Sequence, residues 1–234
     1  MNITYPIALD SKYAIWNAFE NHNWPALYLA DAQGKIHYRN FGEGDYDKSE
    51  RAIQDLLRRA GSGPFDSRPA SIVAAGAEVA ADWTNLRSQE NYVGYERTEN
   101  FSSRGGFSGD RNHTYVAPER LQRNEWALAG NWTAQRQAIQ LNAANGRIAY
   151  QFHARDLHLV MGPTIPGQPV RFRVFIDGQI AGASHGTDVD ERGNGLVTEP
   201  RMYQLIRQSG PVVDRRFEIE FLDPGVKAFS FTFG

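Results

Sequence analysis

Arg215-Arg216-Phe217-Glu218-Ile219-Glu220-Phe221-Leu222-Asp223-Pro224-Gly225-Val226-Lys227-Ala228-Phe229-Ser230-Phe231-Thr232-Phe233 contains two alternating apolar runs with a turn signal between them. Successive side chains of a strand point to opposite faces, so Phe217, Ile219 and Phe221 share one face, and Phe229, Phe231 and Phe233 share another. The Asp223-Pro224-Gly225 turn predicts that the two runs pair as a hairpin with both aromatic faces buried. Working outward, similar runs occupy 92–95, 125–132, 137–141, 147–153, 157–161, 170–176 and 201–207, punctuated by Asn145-Gly146, Ala154-Arg155-Asp156 and Asp177-Gly178. Short strands spaced this way predict an antiparallel β-sandwich of jelly-roll type over residues 89–234.

The chain has 234 residues, a formal net charge of -2 and no cysteine. That charge, with scattered Lys and Arg, gives no footprint for nucleic acid. No apolar run approaches the roughly 20 residues of a bilayer-spanning helix, so no membrane contact by the chain itself is expected. Met1-Asn2-Ile3-Thr4-Tyr5-Pro6 lacks the basic and apolar regions of a signal peptide. Without a thiol the chain can form neither disulfides nor zinc–thiolate sites, and it cannot perform thiol chemistry.

Residues 1–61 have a different texture. Asp10 or Ser11 is expected to cap a short helix with Tyr13, Trp16 and Phe19 or Glu20 on one face. A Trp24-Pro25 pair then precedes the apolar run Ala26-Leu27-Tyr28-Leu29-Ala30, the turn Asp31-Ala32-Gln33-Gly34 and a second strand over 35–41. A helix from Asp45 to Ala60 follows, with Asp45 or Asp47 and Glu50 at its start, Ile53, Leu56, Leu57 and Ala60 on one stripe, and Gly61 as its stop. About 60 residues of this kind make a thin core. Residues 62–88 read as a connection, rich in turn formers through Pro69 and in alanine over 71–81. The whole is mainly β with a small α/β part.

The stretch NHNWPALYLADAQGKIHYRNFGEG (21–44) with the helix after it resembles the C-terminal ββα half of a thioredoxin-like domain of the redoxin branch. The later pattern, including YVGYERTENF (92–101), EWALAGNWT (125–133), VRFRVFIDGQ (170–179) and FEIEFLDPGVKAFSFTFG (217–234), is similar to the C-terminal module of DipZ-type proteins. In that family a membrane domain and a thioredoxin-like domain precede a sandwich similar to carbohydrate-binding modules. The resemblance implies a periplasmic or extracytoplasmic protein of thiol-disulfide exchange. It also places Pro25 where the family carries its cis-proline, with Trp24 flanking the substrate groove. The family's Cys-x-x-Cys has no counterpart in this sequence. The expectation is therefore a non-catalytic fragment whose sandwich binds glycan or protein; the alternative is a disulfide oxidoreductase whose active-site half lies outside this chain.

Other candidates come from the residues. Trp126 and Trp132 share one strand face and, with Tyr92, Tyr95 and Tyr115, could stack on sugar rings, although tryptophans of a sandwich usually sit in its core. Asp188 and Asp190 alternate in an acidic loop, a weak calcium candidate that lacks a helical frame. His153 and His158 flank what reads as a hairpin turn and would lie near each other. Neither they nor the dispersed His22, His37, His113 and His185 form a catalytic or zinc motif, so no catalytic residue, metal or cofactor is expected. A thioredoxin-like sheet missing its first half would leave the 26–30 strand uncovered, which predicts a homodimer or other self-association.

Overall fold

The computed structural model describes residues 4–10, 12–23, 25–42, 44–63, 68, 76 and 79–234. The chain divides into two compact units, 1–73 and 74–234.

The first unit is a helix, a hairpin and a second helix. Helix α1 (Ala14–Ala18) is only five residues long. Asp10 initiates it from a distance, its carboxylate accepting the N–H groups of Ile15 at 3.1 Å and Trp16 at 2.8 Å. Strands β1 (Ala26–Ala30) and β2 (Ile36–Phe41) pair antiparallel. Helix α2 (Tyr46–Arg59) ends at Gly61, where φ is 71° and the Gly61 and Ser62 N–H groups satisfy the last carbonyls. Its start departs from the expected capping box. Asp45 sits in the left-handed region and makes no side-chain cap, spending its carboxylate on Lys48 instead. The expected apolar stripe is also turned outward. Ser49 and Gln54 are buried, whereas Ile53 and Leu57 are exposed. Among the described residues of this unit, no apolar side chain is fully buried.

The second unit is the sandwich. Its strands are β3 (Asn91–Tyr92), β4 (Asn112–Tyr115), β5 (Trp126–Ala134), β6 (Ile139–Leu141), β7 (Gly146–Phe152), β8 (Asp156–Pro163), β9 (Val170–Ile176), β10 (Gln179–Ile180), β11 (Asn194–Val197), β12 (Arg201–Arg207), β13 (Arg215–Phe221) and β14 (Val226–Phe233). All ladders are antiparallel and form one curled sheet in the order β10-β9-β13-β7-β5-β6-β14-β8-β12, with β11 on β9, β3 on β14 and β4 on β5. The sheet folds into two layers at β5. Residues 126–129 pair with β7 in the first layer, and residues 130–134 pair with β4 and β6 in the second. Gly130 makes the bend. Its φ is 91°, and a Cβ there would lie 2.9 Å from the Cα of Gly146.

The predicted hairpin of 215–233 does not form. β13 pairs with β7 and β9 in one layer, and β14 pairs with β8, β6 and β3 in the other. The Asp223-Pro224-Gly225 turn instead carries the chain across the core. In and beside it, hydrogen bonds go to the ends of other strands: Gly225 N–H to Leu141 O of β6 at 3.1 Å and Leu222 N–H to Arg171 O of β9 at 2.8 Å. The aromatic faces therefore meet across the sandwich, with the rings of Phe217 and Phe231 centred 6.0 Å apart. A bulge between Ala228 and Ser230 also resets the alternation, so Ala228 and Phe231 point inward and Phe229 does not. Around them Trp126, Trp132, Tyr150, Phe172, Tyr203 and Phe221 are buried to within 2% of complete.

Part of the expected connection belongs to this body. Buried Asp156 takes Arg155 and Arg207 on its two oxygens, and those arginines reach on to the carbonyls of Ala80 (2.6 Å) and Gly76 (2.7 Å). Ser88 is tied to Asn124 and His153. The remainder of the alanine-rich stretch, 71–75 and 77–78, lies outside the described residues.

His158, on β8 opposite Gln204 and Thr232, is the unsatisfied group of this region, its Nδ1 buried without a hydrogen-bond partner. Burial pushes its pKa down, and Arg207 and Arg155 add to this while Asp156 and Asp188 oppose it. A depressed pKa adds stability above the ordinary imidazole value of about 6.5, and that stability is lost as pH falls through the folded value. Stability measured by denaturant midpoints should therefore drop on acidification below about pH 6.5 in the wild type, and drop less in His158→Gln. Equal slopes would contradict the account. Gly130→Ala should cost at least about 1 kcal/mol, because the position combines positive φ with a close backbone approach. Trp132→Ala should cost about 3–5 kcal/mol as a core deletion.

Candidate functional site

The expected aromatic platform is interior. Trp126 donates its indole N–H to Thr98 Oγ1 and Glu99 O at 3.1 and 3.0 Å, and Trp132 donates to Ala129 O at 2.9 Å. Both side chains are fully buried, so neither offers a face to a ligand. The shared strand face expected for them is real, but it faces the core. Tyr115 is buried as well, and Tyr92 is covered by the Arg97 guanidinium 3.8 Å above its ring. Tyr95 alone of the five is at the surface, where its hydroxyl donates to Asp110 at 2.6 Å and its ring lies over Gly109.

The acidic loop is satisfied from within. Asp188 accepts Arg201 at 2.7 Å and the Gln204 N–H at 2.8 Å. Asp190 accepts the N–H groups of Arg192 and Asn194 at 2.9 and 2.8 Å, which lowers its pKa. Both carboxylates serve as turn and strand anchors. Among the described residues, no group of three or more acidic, histidine or cysteine side chains could hold a metal ion. His153 and His158 are not brought together as the sequence suggested, because β7 and β8 belong to different layers. His153 pairs with Asp214 at 2.6 Å, whereas His158 is the orphan described above.

In the first unit, Pro25 is exposed at the head of β1, and its carbonyl accepts the Gly42 N–H at 2.8 Å. Trp24 lies outside the described residues. Beside Pro25, a groove of about 530 Å³ runs between α1 and the hairpin, floored by Ile15, Trp16, Phe19, Leu27 and Tyr28.

The sandwich carries a polar cleft that the motif reading missed. On the outer face of its second layer, Asn142 donates to Asn131 at 3.0 Å and to Thr133 at 3.1 Å, Asn131 donates to Thr114 at 3.4 Å, and Gln135 donates to Gln140 at 3.4 Å. This uncharged ladder of amides and hydroxyls leads to a cleft of about 440 Å³ at one end of the sandwich. The cleft lies where the connections after β6, β8 and β13 meet, and Gln140, Asn142, Thr164, Gln168 and Asp223 line it. Asp223 is held by Arg171 through Nε (2.9 Å), Nη2 (2.7 Å) and the backbone N–H (3.0 Å), which draws its pKa down to about 2. The sequence signal existed in Asn131-x-Thr133-x-Gln135, the polar half of the strand whose other half holds Trp132 and Ala134.

Among the described residues no helix is long and apolar enough to cross a membrane. Residues 88–234 match the family model described as "Thioredoxin like C-terminal domain". Two curated relatives, "Protein DipZ" of Mycobacterium bovis and of Mycobacterium tuberculosis, are each 34% identical over 164 residues, covering 70% of this chain. The chain spans only 23% of the length of those relatives. Solved structures with partial likeness include an acetyl xylan esterase (Est2A) from Butyrivibrio proteoclasticus (TM-score 0.32, 14% identity, 62% of this chain, 32% of that one). Another is CsCBM6-3 from Clostridium stercorarium in complex with cellobiose (TM-score 0.26, 14% identity, 58% of this chain, 94% of that one). Likeness at these scores is too slight to bear on function. The family match covers well over half of the sequence, and the chain belongs to the thioredoxin-like C-terminal domain family.

Proposed function

We propose that this chain is the recognition part of a thiol-disulfide exchange protein of the cell envelope, and that its sandwich holds a glycan while the chain itself performs no redox chemistry. The observation that carries the reading is the pairing of a complete, aromatic-cored sandwich with the absence of any cysteine. A chain without a thiolate cannot attack a disulfide. Kinship with DipZ supports the redox context and an extracytoplasmic setting. In this reading, disulfide chemistry belongs to cysteine-bearing parts of the whole protein, and the first unit, as half of a thioredoxin-like domain, offers a docking surface along Pro25.

Two outcomes follow for the chain as it stands. It should reduce insulin in the presence of dithiothreitol no faster than buffer does, and turnover above that background would contradict the reading. It should also self-associate, because Leu27 on β1 is 39% exposed and Ile53 and Leu57 of α2 face outward. Light scattering across a concentration series should show a dimer, and a monomer at every concentration would remove that expectation.

A further inference from the structure

We infer that the cleft bounded by the connections at 141–142, 164–170 and 223–225 is the saccharide site of the sandwich, and that it reads a neutral, polyhydroxylated ligand through side-chain amides and hydroxyls instead of aromatic stacking. The inference rests on the glycan reading proposed above and gives it a location.

Four properties of the cleft lead there. Its volume, about 440 Å³, falls within the range of small-molecule sites. Its charge is internally balanced, since Asp223 is the acidic lining residue and Arg171 grips both of its oxygens. The lining itself offers no other charged side chain; Lys227, which pairs across the ladder with Gln140, is a neighbouring cation. Its polar groups are partly unspent: among the described residues the side chains of Gln168 and Thr164 make no hydrogen bond, and Gln140 uses only its oxygen, toward Gln135. Amides and hydroxyls that can both donate and accept match the hydroxyls of a sugar ring. Its apolar surface includes Ile165, Pro169 and Pro224, which can meet the C–H face of a pyranose without a tryptophan.

Peptide recognition is disfavoured by the same geometry. An extended peptide needs free backbone groups along a strand edge. Three backbone N–H groups of the cleft are already bonded. The Thr164 N–H goes to Gly225 O at 2.7 Å, Gly225 N–H to Leu141 O at 3.1 Å, and Gln168 N–H to Ile165 O at 3.1 Å. Recognition is left to side chains. The Asn142–Asn131–Thr133 ladder opens from the cleft mouth at Gln140 and Asn142, giving a longer glycan a continuation along the outer face.

The test is an amide-resolved NMR titration of the full chain with maltotriose, cellotriose, xylotriose and triacetylchitotriose, and in parallel with a neutral Ser/Val peptide. At least one trisaccharide should shift the side-chain amides of Gln140, Asn142 and Gln168 together with backbone signals of 164–170. The Thr164→Ala/Gln168→Ala double variant, which removes no internal hydrogen bond, should bind that sugar about tenfold more weakly. Its unfolding midpoint should stay at the wild-type value. Saccharide shifts confined to another surface, or unchanged affinity in the double variant, would overturn the cleft while leaving glycan binding standing. Peptide shifts in the cleft without saccharide shifts would overturn the saccharide assignment. If no trisaccharide moved any signal, both the cleft and the glycan reading would fall.

Discussion

Two layers of strands share one aromatic interior, and the rest of the molecule depends on filling it. Trp126, Trp132, Phe217, Phe221 and Phe231 are all excluded from water. β6 to β9 and β12 to β14 alternate between the layers, so the turns joining them cross the core, whereas β5–β6 and β9–β10 reverse along one sheet. That requirement explains the bend of β5 at Gly130, where a side chain would strike Gly146, and the crossing at Asp223-Pro224-Gly225. It also explains why the ends of the sandwich hold its polar architecture. Connections that cross ~10 Å between packed sheets bring several loops to one place, and their satisfied backbones leave the side chains to face solvent.

The same interior decides what the surface can offer. Large aromatic rings spent on the core are unavailable for stacking on a ligand. What remains outside is the complementary half of each alternating strand, and on β5 and β6 that half includes Asn131, Thr133 and Gln140, with Gln135 just past the end of β5. An amide and hydroxyl surface of this kind recognises by hydrogen bonding, where direction gives specificity and net energies per contact are small. The first unit stands in contrast. It has regular elements and, among its described residues, no buried apolar centre, which is the condition of a piece that needs a covering surface.

Much of this was legible in the residues. β9 and β12 begin and end where alternation placed them, at 170–176 and 201–207, and β1 matches the apolar run 26–30. The strands that escaped notice were β4, with the polar sequence Asn-His-Thr-Tyr, the two-residue β10, and β11, which opens on Asn-Gly; none has an apolar alternation to read. The predicted final hairpin failed because alternation fixes which residues share a face but not which strands are neighbours, and a proline-glycine turn serves a crossing as well as a reversal. For the tryptophans the shared face was evident and both a core and a ligand platform were open; the layer opposite decides for the core. The cleft was invisible because its residues are dispersed from 140 to 225 and meet only when three connections converge.

The stability of this chain resides in the sandwich, and the described residues of the first unit hold no buried apolar core. Native-state hydrogen exchange of the full chain at the lowest workable concentration tests it most directly. Amides of β7, β13 and β14 should exchange only through global opening, while those of β1, β2 and α2 should exchange far faster, through local opening. Equal protection across residues 26–59 and 126–233 in a monomeric sample would contradict the account.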